Sequence, residues 1–198
     1  MDQEKIMQFV SGPIGNLVLV FGLMKLGDLY KLDAPENALY IRLGYGLCQV
    51  VILAALAITW QRINQKKDQT ALVYVKQNNP LDAKDVETIK TTVYEYDKEQ
   101  ALAFFKQTAM SVAIVVAMHY YWGYLRPLFL QSILGYKPIF TTQIFRIHLL
   151  GQPATGDLVR PWKQANPFGL DAPTNDTSAK ELKQREKKEA KKKINRID

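Results

Sequence analysis

The side chains with the widest chemical range are scarce in this chain and stand in apolar surroundings. Its only histidines are His119 and His148, and its only cysteine is Cys48. A single cysteine forms neither an intrachain disulfide nor a thiolate cluster, and the apolar neighbours of Cys48 read it as a packing residue. Nucleophilic catalysis needs a base beside a nucleophile, and no Ser/His/Asp or Cys/His arrangement emerges from two isolated histidines. Gly151 and Gly156 have the spacing of a phosphate-binding loop, but Asp157 stands where that loop needs lysine. A carboxylate there repels phosphate. The sequence points to a protein that is not an enzyme and that carries no metal or cofactor.

What remains is a set of polar groups in or at the ends of long apolar runs: Asn16, Lys25, Arg42, Gln49, Gln107, Ser111, His119 and Arg126. If these runs lie in lipid, their polar groups snorkel, pair, or face a shared water-filled groove. A groove of this kind lowers the cost of moving polar peptide into a bilayer, because it supplies hydrogen-bond partners that hydrocarbon lacks. No carboxylate lies inside the runs, so a metal site or a proton relay built from spanning carboxylates is not expected.

The elements that must position these groups follow from the segregation of apolar and charged residues along 198 residues. Three runs, residues 7–26, 40–60 and 104–124, match the roughly 20 residues that cross about 30 Å of hydrocarbon. In the first, Ser11, Gly15 and Gly22 form a small-residue stripe, with Gly12 and Asn16 beside it, and Pro13 is expected to kink the helix. The second runs unbroken and apolar through residues 50–58 between the aromatic anchors Tyr40 and Trp60. The third ends in Tyr120, Tyr121, Trp122 and Tyr124. Residues 125–150 are apolar but interrupted by Arg126, Pro127, Gln131, Lys137, Pro138 and Arg146. They read as a re-entrant or interfacial helix, or as a short fourth crossing. The expected fold class is an all-α membrane protein of three to four transmembrane helices, with a membrane domain over residues 1–150 and a loop and tail over residues 151–198.

The polar insert at residues 61–100 follows the second run with Arg62, Lys66 and Lys67, which places it in the cytoplasm by the positive-inside rule. Within it, residues 72–75 and 89–96 are rich in Val, Thr and Tyr and flank Asn78, Asn79 and Pro80, the signature of a small β-hairpin. The chain ends in a basic tail: Lys180, Lys183, Arg185, Lys187, Lys188, Lys191, Lys192, Lys193 and Arg196 stand against three glutamates. This tail is either a solubilising segment or a contact for anionic lipid or ribosomal RNA. The net charge of +7 is read chiefly as a topology signal. If insert and tail are both cytoplasmic, residues 125–150 must return across the bilayer.

Four stretches stand out: Tyr40, Ile41 and Arg42; residues 91–97 (TTVYEYD); His119 followed by residues 126–133 (RPLFLQSI); and residues 146–163 (RIHLLGQPATGDLVRPWK). Together they resemble a fungal family described both as an inorganic phosphate transport protein and as the third component of the SRP-independent targeting pathway at the endoplasmic reticulum. The resemblance runs from the first apolar run to about Lys163. It implies a multi-pass endoplasmic reticulum membrane protein that helps to deliver or insert clients with hydrophobic segments. The partners it implies are other targeting components, the protein translocation channel and the ribosome. The alternative is a phosphate transporter or a factor for transporter assembly. Three or four spans without an internal repeat are few for an alternating-access carrier. Asn175 and Thr177 form a glycosylation acceptor sequence with Asp176. A tail on the cytoplasmic side predicts that Asn175 stays unglycosylated in microsomes while the chain resists carbonate extraction, both read on one gel.

Overall fold

The computed structural model describes residues 13–32, 34–77 and 86–162. Among these residues, which are mostly helical, one antiparallel pair of strands separates the earlier helices from the later ones. Two compact units contain the described residues: one drawn from Met1–Lys66 and Asp97–Gln152, the other from Lys67–Tyr96 and Pro153–Asp198.

Three long helices belong wholly or mainly to the first unit. Helix α1 (Pro13–Leu29) contains the described part of the first apolar run. A single turn at Pro35–Asn37 leads into α2 (Ala38–Lys66), and α3 spans Val93–Trp122. Pro35 suits the opening turn because its missing N–H would have no intrahelical partner there. Helix α3 closes at Gly123, whose φ of +70 is the left-handed conformation that ends helices. The segments Pro35–Lys66 and Val93–Trp122 are long and apolar enough to cross a membrane. Only 11% of the apolar window of α3 is buried within the protein, which is not how the core helix of a soluble domain behaves. Large apolar side chains such as Leu43, Leu47 and Val50 on α2, or Ile114 and Val116 on α3, face outward.

Residues 125–150 fold as three short helices: α4 (Arg126–Leu134), α5 (Lys137–Thr141) and α6 (Gln143–His148). The breaks are written in the sequence. Pro127 and Pro138 lie in opening turns and cannot continue a preceding helix, and Thr142 is extended at ψ 131. The longest piece has nine residues, about 14 Å, so a single continuous fourth spanning helix is not what forms here. The broken segment nevertheless covers the length of the unit. It starts beside the end of α3, where His119 Nδ1 lies 3.2 Å from the Tyr124 carbonyl. It ends where Arg62 Nη1 donates to the His148 carbonyl at 2.6 Å. The stretch of α2 between Arg42 and Arg62 is about 30 Å long.

The core of this unit is the packing of α2 against the broken segment. Ile41, Tyr45, Val115, Leu125 and Leu128 form one cluster, with Leu32, Ala38 and Phe129 against it. At the other end Phe104 and Phe145 meet edge to face at 4.9 Å. Gly135 makes the closest approach: an added Cβ would lie 2.7 Å from Cys48 Sγ and 3.4 Å from Ile52 Cδ1. The small-residue stripe of the first run is only partly in use. Gly15 is buried, whereas a Cβ on Gly22 would meet nothing within 4 Å; Ser11 and Gly12 lie outside the described residues.

In the second unit β1 (Ala71–Gln77) pairs with β2 (Val86–Thr92), Ala71 opposite Thr92 and Gln77 opposite Val86. The sequence reading carried the second strand on to residue 96, and that end is corrected here. Thr92 Oγ1 accepts from the Glu95 N–H at 3.3 Å, so Thr92 and Glu95 start α3 at the spacing of a capping box. The expected turn at residues 78–80 lies outside the described residues. Residues 153–162 carry one single turn, Gly156–Leu158, and are anchored. Trp162 is buried, its N–H donates to the Tyr96 hydroxyl at 2.8 Å, and its ring meets Tyr96 edge to face at 5.3 Å.

Gly135→Ala is expected to cost about 1–3 kcal/mol through overpacking against Cys48. Gly22→Ala, with open space around it, is expected to stabilise by up to about 1 kcal/mol through helix propensity. Thermal unfolding of the two detergent-solubilised variants separates these outcomes.

Candidate functional site

The polar side chains of the first unit are gathered into pairs that tie one helix to another. Arg42 on α2 donates through Nε to His119 Nε2 on α3 at 3.1 Å. A carbonyl only accepts and a guanidinium only donates, so the Tyr124 carbonyl and Arg42 together assign the Nδ1–H tautomer to His119. Nearby, Arg126 at the start of α4 pairs with Asp28 on α1 at 3.0 Å, both about half exposed. Midway along, Gln131 Nε2 on α4 donates to Ser111 Oγ on α3 at 2.9 Å, and Cys48 Sγ approaches the Gln131 carbonyl at 3.5 Å. Lys137 Nζ on α5 donates to Asn16 Oδ1 on α1.

Five of the eight residues singled out from the sequence therefore enter pairs: Asn16, Arg42, Ser111, His119 and Arg126. Only Arg42 and His119 pair with each other. Lys25, Gln49 and Gln107 join none of these pairs; Lys25 and Gln107 are exposed and Gln49 is half-buried. The nine basic tail residues lie outside the described residues. A cavity of about 40 Å³ lies between α1, α2 and α4, lined by Met24, Gly27, Leu32, Ile41, Phe129 and Leu130 with Leu125 and Arg126. Its walls are almost wholly apolar, so it offers a lipid-like rather than an ionic environment.

The most deeply buried polar contact involves residues outside the sequence-derived set. His148 Nε2 on α6 and Asp97 Oδ2 on α3 are 2.7 Å apart, with side chains 4% and 2% exposed. A carboxylate oxygen accepts, so Nε2 carries the hydrogen. Arg62 on α2 completes the cluster by donating to the carbonyls of His148 at 2.6 Å and Leu149 at 3.1 Å. These are end carbonyls of α6, which have no intrahelical donor and carry the negative end of the helix dipole. A guanidinium is therefore placed where the chain emerges from the broken segment. The signal for this cluster was present in the sequence, because Asp97 and His148 fall within residues 91–97 and 146–163. The gap of 51 positions between them hid the pairing.

Removing one partner of the buried pair, as in Asp97→Ala, is expected to cost about 3–5 kcal/mol. Asp28→Ala, at an exposed pair, is expected to cost no more than about 1 kcal/mol. Chemical unfolding of both variants in the same detergent tests the ranking.

The comparisons with known proteins converge. The model of the family described as phosphate transport (Pho88) matches residues 10–193. An uncharacterised protein of Schizosaccharomyces pombe is 36% identical over 171 residues, 86% of this chain and 84% of that protein. SRP-independent targeting protein 3 of Saccharomyces cerevisiae is 31% identical over 163 residues, 79% of this chain and 83% of its own. A Schizosaccharomyces pombe homolog of that targeting protein is 31% identical over 144 residues, 72% of this chain and 74% of its own. No solved structure matches the chain.

Proposed function

The chain belongs to the phosphate transport (Pho88) family, and on that premise we propose that it acts in SRP-independent targeting and insertion of membrane proteins at the endoplasmic reticulum. The observation that carries this reading is the likeness to SRP-independent targeting protein 3 over 79% of the chain. In this reading α1, α2 and α3 cross the bilayer and α4–α6 return through it as a fourth, discontinuous crossing. That count puts the insert and the tail on the same side, in accord with Arg62, Lys66 and Lys67 at the end of α2.

The broken crossing supports a role with polypeptide clients. Non-helical backbone is tolerated at membrane depth only where it is buried in protein or lines a cavity. The paired groups at that depth, Ser111 with Gln131 and Asn16 with Lys137, are hydrogen-bonding groups that a passing polar peptide can exchange with. A partly polar groove along α4–α6 is the proposed path, its mouth framed by Arg42, His119 and Arg126. Other targeting components are the proposed partners. The basic tail is proposed to hold the protein near anionic surfaces, whether the ribosome or lipid, while the translocation channel receives the client.

Phosphate transport is the second reading, carried by the family description. A phosphate site needs convergent, available cations; of the candidates Lys25, Arg42, Lys106 and Arg126, Arg42 is engaged by His119 and Arg126 by Asp28, while Lys25 and Lys106 stand on different helices. Microsomes depleted of this protein are expected to insert multispanning clients less efficiently, with restoration by the wild type and weaker restoration by Ser111→Leu combined with Gln131→Leu. Undiminished insertion after depletion, together with phosphate flux in liposomes containing only this protein, would favour the transporter instead.

A further inference from the structure

Three apolar runs meet at one end of the first unit. Asp28 stands two residues beyond the first run, Arg126 two beyond the third, and Tyr40 opens the second. Asp28 pairs with Arg126 at 3.0 Å and Arg42 with His119 at 3.1 Å, so these ends lie together. Tyr40, Tyr120, Tyr121, Trp122 and Tyr124 are exposed at the same end, and aromatic rings at the ends of spanning helices mark the headgroup level. The Asp28–Arg126 pair therefore lies at headgroup depth.

The apolar cavity between α1, α2 and α4 starts at this pair. It runs from Arg126 past Gly27, Ile41 and Phe129 to Met24 and Leu130, which stand one helical turn inward of Asp28 and Arg126. Water does not fill a space of about 40 Å³ with such walls, because it needs two to four polar partners. A short stretch of acyl chain does fill it, and supplies the dispersion contacts that the lining otherwise lacks. Gly27 keeps the space open, since an added Cβ would already lie 3.7 Å from Phe129 Cε1.

Arg126 and Leu125 also line a wider recess of about 450 Å³, with Gly123, Tyr124 and Pro127. The recess lies at the start of α4, where Leu125 provides no side-chain cap, and helix ends of this kind attract phosphate. Arg126 and Asp28 are each about half exposed, so the pair presents both signs of charge. Its sum is neutral. That suits a headgroup which is itself neutral, with its phosphate on the guanidinium and its ammonium on the carboxylate. Inorganic phosphate brings no cation of its own and is repelled by Asp28. A primary ammonium donates to a carboxylate, whereas a quaternary one calls for an aromatic cage, and of the residues lining the recess only Tyr124 is aromatic.

We propose that this end of the protein binds one phosphatidylethanolamine molecule, with its phosphate on Arg126, its ammonium on Asp28 and the start of an acyl chain in the cavity between α1, α2 and α4. The site goes beyond the targeting reading and needs only that α1, α2 and α3 span the bilayer. The test is native mass spectrometry of the full chain in mild detergent, with one synthetic lipid added at a time. Phosphatidylethanolamine is expected to remain as one adduct per chain, and phosphatidylcholine and phosphatidylglycerol to remain about tenfold less. Arg126→Gln is expected to lower the adduct about tenfold. Asp28→Asn is expected to remove the preference over phosphatidylglycerol, because the guanidinium alone favours an anionic lipid. Gly27→Leu fills the cavity and keeps both charges, and is expected to lower the adduct; Gly22→Leu, in open space on the same helix, is expected to leave it unchanged. Gly27→Ala gives the same reading at smaller size if Gly27→Leu does not accumulate. Adducts that are equal for the three lipids, that both charge variants leave unchanged, or that excess inorganic phosphate displaces overturn the site. No client enters this measurement, so its failure is separate from a failure of insertion. A chain that carbonate washes from microsomes removes the spanning premise, and the site with it.

Discussion

The constraint on which the first unit depends is that a helix broken twice must still satisfy its backbone. Pro127, Gly135, Pro138 and Thr142 interrupt residues 125–150, and each interruption frees carbonyls or N–H groups that need partners outside the helix. Side chains from elsewhere answer them. Arg62 takes the last carbonyls of α6, Cys48 approaches the Gln131 carbonyl, and the Thr141 hydroxyl donates to the Lys137 carbonyl at 3.1 Å. The long helices give the unit its length; these contacts hold the broken segment in place against α2.

The same logic explains the distribution of polar side chains. In water an exposed ion pair such as Arg126 with Asp28 contributes little. For a buried pair such as Asp97 with His148 the alternative to pairing is an unsatisfied group, so its loss is costly. The ties run from α1 to α4 and α5, from α2 to α3 and α6, and from α3 to α4 and α6. Every long helix is thus joined to the broken segment by at least one polar contact. The tightest of them, Asp97 with His148, sits where the chain leaves the unit.

How much of this was legible in the sequence differs by element. Residues 40–60 and 104–124 announce long helices through length, apolarity and aromatic ends, and α2 and α3 contain them, with α3 ending at Trp122 just before Tyr124. The hairpin follows from Val, Thr and Tyr on either side of turn residues. Its far boundary was misplaced because Thr92 and Glu95 form a helix start that β-propensity outweighed on paper. Pro127 and Pro138 showed that residues 125–150 are interrupted, and composition alone pointed to a re-entrant or interfacial helix, with a short fourth crossing as its rival.

Local propensity and patterning act over a few residues, and so the sequence by itself determined where helices start, where they break and which stretches are apolar. Pairing acts across tens of residues. Only the tertiary structure decided that Arg42 faces His119, that Ser111 faces Gln131, and that Asp97, absent from the candidate list, is buried against His148. The reason is physical: a polar side chain in an apolar stretch must find a partner, but which partner depends on helices that only packing brings side by side.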